Sequence, residues 1–245
     1  MKFERIRLEF THEHKVAHIT LSAPKANILD RVMIGELTLA FQQCDPSGLH
    51  AIVLAADGPH FSFGASLQEH LPDQIRDTLQ QLHALLRIVC GAPAPVIAAV
   101  RGQCLGGGFE LALSCDLIMA DRTAQFASPE IKGGVFAPAA SALLPARVGQ
   151  ALACRLLLVG ETMSAEEAAG CGLVAKVVDD LDSSVHQQLE TSFLPRSSAA
   201  LKIACQSGSL AGEPGSGRRP LEAGTPLFIG VDGSAGFHGR DSRFP

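Results

Sequence analysis

The 245-residue sequence predicts an α/β protein, and three observations predict it. Ala51-Ile52-Val53-Leu54-Ala55-Ala56 and Val96-Ile97-Ala98-Ala99-Val100 are short, wholly apolar runs, as expected of strands covered on both faces. Residues 72–90 place Ile75, Leu79, Leu82, Leu86 and Val89 at three- and four-residue steps, the stripe of an amphipathic helix. Strand-like and helix-like segments then alternate along the chain, the order of an α/β layer structure. With 47% hydrophobic and 18% charged residues the chain can bury a substantial core. Its length suits one domain, since single cores grow to roughly 250 residues before dividing.

Each element has a local reason. Phe3, Ile6, Leu8 and Phe10 alternate, and Val16, Ile19 and Leu21 follow His12-Glu13-His14, so two strands flank a turn. Pro24-Lys25-Ala26-Asn27 reads as a loop. Asp30 is placed to cap a helix carrying Val32, Met33, Leu37 and Phe41. Asp57-Gly58-Pro59 stops the first apolar strand, and Pro93 and Pro95 close helix 72–90. Gly106-Gly107-Gly108 opens a helix, and Leu117-Ile118-Met119-Ala120 reads as a strand. Ser164 with Glu167 forms a capping box, each side chain meeting the other residue's orphan amide. Residues 172–178 are expected as a strand. No internal repeat is visible, and no linker divides residues 1–205.

Composition excludes several classes. A net charge of −5 lacks the concentrated basic surface that nucleic-acid binding requires. Seven cysteines, odd in number and without a CxxC pair, read as reduced thiols rather than a disulfide framework. Nine histidines supply no HExxH, and no Cys/His cluster has zinc-ligand spacing, so no metal is expected. The first seven residues mix charges with apolar positions and lack the apolar centre of a signal peptide. No run approaches the ~20 apolar residues that span a bilayer. The expectation is a soluble, cytoplasmic protein without membrane partners.

Three segments carry candidate chemistry. Phe61-Ser62-Phe63-Gly64-Ala65-Ser66-Leu67 is a glycine loop after a buried strand. Arg101 to Ala112 runs through Gly106-Gly107-Gly108 into a helix. Ser128-Pro129-Glu130 follows. Glycines at strand-to-helix turns leave backbone amides able to meet a ligand, and two such turns could aim two amides at one oxygen. A donor of that kind contributes about 10²–10³ in rate where an oxyanion develops. Taken alone, a triple glycine reads first as close helix–strand packing. GxxxxGK[ST], GxGxxG and GxSxG are absent, which removes phosphate-loop, dinucleotide and nucleophile-elbow readings. Glu110 is the only charge between Arg101 and Asp116, within Phe109, Leu111, Ala112 and Leu113. Burial there would raise its pKa toward the working pH, as a general acid–base requires. Glu130 alone reads as a surface carboxylate in a loop; paired with Glu110 it could divide the labour of moving a water and a proton.

In this order and spacing the glycine loop, the triple-glycine helix start and the later Pro-Glu resemble the crotonase (enoyl-CoA hydratase/isomerase) superfamily, over residues 3 to 203. The resemblance implies a spiral of ββα units with a helical C-terminal part, assembled as trimers or paired trimers. It implies an acyl-CoA thioester whose carbonyl is held by the amides of Ala65 and Gly107. Coenzyme A is then part of the substrate, and no separate cofactor is needed. Glu110 and Glu130 match the catalytic glutamates of the hydratase branch. Lys25 and Ala26, in the loop that relatives fold over the adenosine end of CoA, and Ser66 and Leu67, beyond the glycine loop, become the CoA-binding candidates.

A narrower likeness lies within the family. Gly58 to Ser66 carries Ser66 where general enoyl-CoA hydratases usually have Asp, and Gly134-Val135-Phe136-Ala137-Pro138-Ala139-Ala140-Ser141 replaces their usual glycine-rich segment. With Val100 to Gly108, these segments resemble hydratases of a cyclic conjugated dienoyl-CoA. Phe63, Phe136 and Pro138 are candidates to shape a flat ring pocket, with ordinary core packing as the alternative. A hydratase of linear acyl-CoAs and a catalytically impaired CoA-binding protein are the competing readings.

Residues 206–245 differ in kind. They hold nine of the 24 glycines, four of the 14 prolines and only eight Leu, Ile, Val and Phe. Gly costs about 1 and Pro about 3 kcal/mol inside a helix, so Gly215 to Pro220 cannot continue the helices that relatives have there. A shift of reading frame near residue 205 would produce such a tail. The expected division is a catalytic domain over 1–205 and an atypical, poorly ordered tail over 206–245.

Overall fold

In the computed structural model, residues 3–23, 26–44, 48–65 and 75–208 are described. The alternation at the start of the chain makes an antiparallel hairpin, β1 (Ile6–Thr11) and β2 (Val16–Leu21), with Ile6 opposite Leu21 and Thr11 opposite Val16. Its turn holds His12, Glu13 and His14 at φ of 53°, 56° and 65°. Three consecutive left-handed non-glycine residues are costly, at about 1–2 kcal/mol each.

Asp30 caps α1 (Arg31–Gln42) by accepting the Met33 amide. The apolar runs become β3 (Ala51–Ala56) and β4 (Val96–Val100), separated by α2 (Ile75–Cys90). β5 (Gln103–Leu105), α3 (Gly107–Leu113), β6 (Leu117–Asp121) and β7 (Gln125–Ala127) follow. Next come α4 (Pro138–Val148), α5 (Gln150–Val159), β8 (Thr162–Ser164), α6 (Ala165–Gly170), β9 (Lys176–Val178), α7 (Leu181–Gln188) and α8 (Ser198–Gly208).

Six strands form one sheet in the order β1-β2-β3-β4-β6-β9, parallel from β2 onward. β5, β7 and β8 form a second, smaller sheet. The period of two sorts each buried strand between two apolar clusters. Ile52 and Leu54, with Val96, Ala98 and Val100, join the larger one. Val53, Ile97 and Ala99 meet Leu181 and Val185 of α7 in the smaller one. β3 and β4 therefore read as continuous apolar runs because both faces are covered.

The capping box forms as expected, with Ser164 and Glu167 each accepting the other's amide. The strand expected over 172–178 is confined to Lys176–Val178. Gly172 takes a φ of 80°, and the amides of Leu173 and Val174 both donate to Ala168 O, so residues 172–174 close α6 instead, and Ala175 N already donates to Ile118 O of β6. Glu130 lies not in an open loop but in a 3-10 turn, Pro129–Gly133. α8 crosses the expected boundary at residue 205 and ends at Gly208; the remainder of the tail lies outside the described residues. None of the seven cysteines forms a disulfide. No described helix is long and apolar enough to cross a membrane.

Candidate active site

The glycine loop and the triple glycine meet. Ser62 bridges to Cys104 of β5, and the Leu105 amide donates to Ser62 O at 2.9 Å, so the loop runs beside the turn into α3. Gly64 has a φ of 90°, and a β-carbon there would lie 2.6 Å from Leu105 O and 3.0 Å from Gly107 N. Only glycine meets both demands. A β-carbon on Gly107 would in turn lie 3.3 Å from Ala65 N, so the two amides expected to hold one oxygen are neighbours. Gly107 N is the first amide of α3, and the first amides of a helix have no intrahelical acceptor. Its position at a helix N-terminus also favours negative charge.

Glu110 sits one turn into α3, 3% exposed, with every residue of the helix buried. Its Oε1 accepts the amides of Ala139 at 2.8 Å and Ala140 at 2.9 Å, at the start of α4. Burial raises its pKa to about 7; the charge of Glu130 adds to the rise, and the Ala140 and Ala139 amides oppose it. Glu110 is therefore a core position of the helix and not an exposed one. Glu130 comes close to the same turn. Gly106, at a φ of 52°, would carry a β-carbon 2.6 Å from Glu130 Oε1, and Glu130 Oε2 is buried. Two carboxylates, one poised near neutrality, thus flank the turn that presents Gly107 N.

Ala26 and Asn27 are hydrogen-bonded to the glycine loop. Phe63 N donates to Ala26 O at 3.0 Å. Asn27, buried at a φ of 45°, accepts the Ala23 amide and donates to Asp57 O and His60 O, at 2.9, 3.0 and 3.0 Å. Ser62 Oγ donates to Asn27 O at 2.7 Å and accepts the Gly64 amide at 3.0 Å. One hydroxyl thereby joins the loop around Ala26 to the glycine loop. A cleft of about 300 Å³ opens here, lined by Ser22, Ala23, Ala26, Asn27, Asp57 and Pro59. Lys25, Ser66 and Leu67 lie outside the described residues.

Of the three ring-pocket candidates, Pro138 is buried as the first residue of α4, next to the amides that hold Glu110. Phe63 is 41% exposed with its ring edge-on to His60 at 5.0 Å, and Phe136 is 52% exposed. Ordinary core packing does not account for either phenylalanine. Sequence reasoning missed Ser62, Asn27 and the Ala139–Ala140 amides. Ser62, two residues before a glycine, carried the one available signal, that of a side chain bonding a backbone amide two residues on.

The family described as enoyl-CoA hydratase/isomerase matches residues 11–206. The cyclohexa-1,5-dienecarbonyl-CoA hydratase of Thauera aromatica is 40% identical over 200 residues, covering 81% of this chain and 78% of that protein. A probable enoyl-CoA hydratase of Rhodobacter capsulatus is 32% identical over 241 residues, covering 96% of this chain and 91% of that one. Among solved structures, the enoyl-CoA hydratase of Bacillus anthracis superposes with a TM-score of 0.80 at 28% identity, covering 85% of this chain and 83% of that one. The chain belongs to the enoyl-CoA hydratase/isomerase family, with the crotonase fold, and is a hydro-lyase of CoA thioesters.

Proposed function

We propose that the protein hydrates cyclohexa-1,5-diene-1-carbonyl-CoA to 6-hydroxycyclohex-1-ene-1-carbonyl-CoA, a step in the anaerobic degradation of benzoyl-CoA. The observation that carries the chemistry is the convergence of Glu110 and Glu130 on the turn that places Gly107 N beside Ala65 N. The 40% identity to a hydratase of that cyclic diene supports the choice of substrate.

The thioester oxygen accepts the amides of Ala65 and Gly107. Glu110, ionised, takes a proton from water as the hydroxyl bonds C2, the ring carbon β to the thioester carbonyl. The C1=C2 pair moves into a dienolate whose charge the two amides stabilise. Glu130 delivers a proton to C5, and the remaining double bond shifts to C1=C6, which completes a 1,4-addition of one water. The pKa of Glu110 near 7 suits a base that must release its proton each cycle. Lys25, Ala26, Ser66 and Leu67 hold the CoA moiety, and Phe63, Phe136 and Pro138 bound the ring. The active form is a trimer or a pair of trimers.

Initial rates of hydration with the cyclic dienoyl-CoA and with crotonyl-CoA test the substrate. A higher kcat/KM for the cyclic thioester is expected. Equal or better hydration of crotonyl-CoA would assign the protein to linear acyl-CoAs instead.

A further inference from the structure

We propose that His12, His186 and Glu190 form a binding site for a divalent transition-metal ion of the zinc class, which ties the N-terminal hairpin to the C-terminal end of α7. The three side chains form the one cluster of its kind among the described residues, with one ligand atom of each within 4.8 Å of the others. His12 Nε2 lies 2.9 Å from Glu190 Oε1, and His186 Nε2 lies 4.0 Å from the same oxygen. A tetrahedral ion with bonds of 2.0–2.1 Å sets its ligands about 3.3 Å apart, and these separations straddle that value. Two imidazole nitrogens and a carboxylate are the donors that zinc, nickel or cobalt selects.

The backbone presents two of the three donors by an unusual conformation, and the third, His186, from the regular helix α7. His12 stands in the left-handed hairpin turn. Glu190 stands in a π turn, Leu189–Phe193, that continues directly from the helix carrying His186. Such one-turn widenings of a helix occur mostly at functional positions.

A second layer orients His12. Thr11 Oγ1 lies 2.9 Å from His12 Nδ1 and 3.1 Å from His18 Nε2. His18 is held toward its neutral form, chiefly by burial and then by the proximity of His12. Thr11 Oγ1 thus stands between the two rings, within hydrogen-bond reach of both, and can accept the proton on His12 Nδ1. In that arrangement His12 Nε2 offers a lone pair 2.9 Å from Glu190 Oε1, as an ion shared between the two requires. His186 is 67% exposed, and the cleft of about 340 Å³ lined by His18, Arg101, Asp182 and Leu189 opens beside it, so an ion has a route in. In the metal-free alternative, Thr11 donates to His12 and the Nε2–H of His12 simply meets Glu190.

Titration of Zn²⁺ into the chelator-treated, tag-free full-length protein against a chromophoric competitor decides between them. One ion per chain is expected, with affinity falling about tenfold or more in His186→Ala and in Glu190→Gln, and also in Thr11→Val, which removes the orienting contact. Co²⁺ should give d–d bands without a thiolate charge-transfer band, which separates this site from the seven cysteines. Zn²⁺ should raise the Tm of the wild type and not that of His186→Ala, while hydration of crotonyl-CoA stays the same in both. No saturable binding, equal affinity in wild type and variants, or a thiolate band would each overturn the site. The exposed His186 and half-exposed Glu190 side chains can be replaced without disturbing the core, so a negative result cannot be ascribed to misfolding.

Discussion

Burial of Glu110 among Phe109, Leu111 and the start of α4 raises its pKa to about 7, from 4.5, and the same burial acts on folding. The unfolded chain ionises this group near 4.5, so between 4.5 and 7 the folded chain holds a proton that the unfolded chain has released. Stability attributable to Glu110 is fully present below 4.5, falls as pH rises, and is lost above about 7, to a total of about 3 kcal/mol as an order of magnitude. Glu110→Gln keeps an acceptor for the Ala139 and Ala140 amides and never ionises. Its Tm should exceed that of the wild type at pH 8 and match it near pH 4.5, as thermal scans at the two pH values would reveal. Its turnover should fall by about 10²–10⁴, the usual contribution of a general acid–base. In the wild type, kcat/KM should rise with pH to a limb near 7; a limb near 4.5 would mean that Glu110 is not the group being titrated. Gly106→Ala should be as damaging as loss of a glutamate, because the new methyl group would meet Glu130 Oε1 at 2.6 Å in a left-handed backbone. The importance of Glu110 was legible as one charge in an apolar stretch. That of Gly106 was legible only as part of a run, because its neighbour in space comes from 24 residues downstream.

At the scale of elements, the site is a junction of β5, the start of α3 and two loops, and hydrogen bonds of Ser62 and Asn27 fix their relative positions. Ser62→Ala removes the acceptor of the Gly64 amide and the donor to Asn27 O, both buried. The expected cost is about 1–3 kcal/mol of stability, with a lowered kcat as Ala65 N loses its aim. Asn27→Ala should act differently. Its three bonds organise the segment around Ala26, so KM for CoA thioesters should rise with kcat less affected; a kcat loss equal to that of Ser62→Ala would place Asn27 with the oxyanion amides instead. Helices α1 and α2 and strands β1 to β4 were legible because each has one period and clear end signals, such as Asp30 and Pro93. Residues 172–175 were misread because a glycine followed by three apolar residues looks alike whether it leads into a strand or closes a helix. α4 and α5 went unread, since Pro138 to Val159 alternates alanine and leucine without a strong polar face.

For the molecule as a whole, the sorting of β3 and β4 between two apolar clusters was readable from composition alone, whereas the meeting of His12 with Glu190, 178 positions apart, was not. His186 and Glu190 lie four residues apart on one helical stretch, but His12 comes from the other end of the chain and joins them only in space. The apolar residues that remain exposed show a similar long-range pattern. Ile131 and Val135 follow Glu130, and Leu158 and Val159, 70% and 56% exposed, end α5. These segments are adjacent, since a β-carbon on Gly160 would lie 2.9 Å from Ile131 Cγ2. Exposed apolar surface of this extent marks a contact site, and members of the family are typically oligomeric. If the trimer forms through this patch, the turn that carries Glu130 is braced from outside by a second subunit. Leu158→Glu places a charge in the middle of the patch while leaving the core untouched. Light scattering after size-exclusion chromatography should then show wild type at a multiple of the 25.7 kDa chain and the variant at the single-chain mass. Its turnover should drop with an unchanged circular dichroism spectrum, because the Glu130 turn loses its support. A variant that stays assembled would move the interface elsewhere, and a monomer with full activity would show that Glu130 is held in place by its own chain.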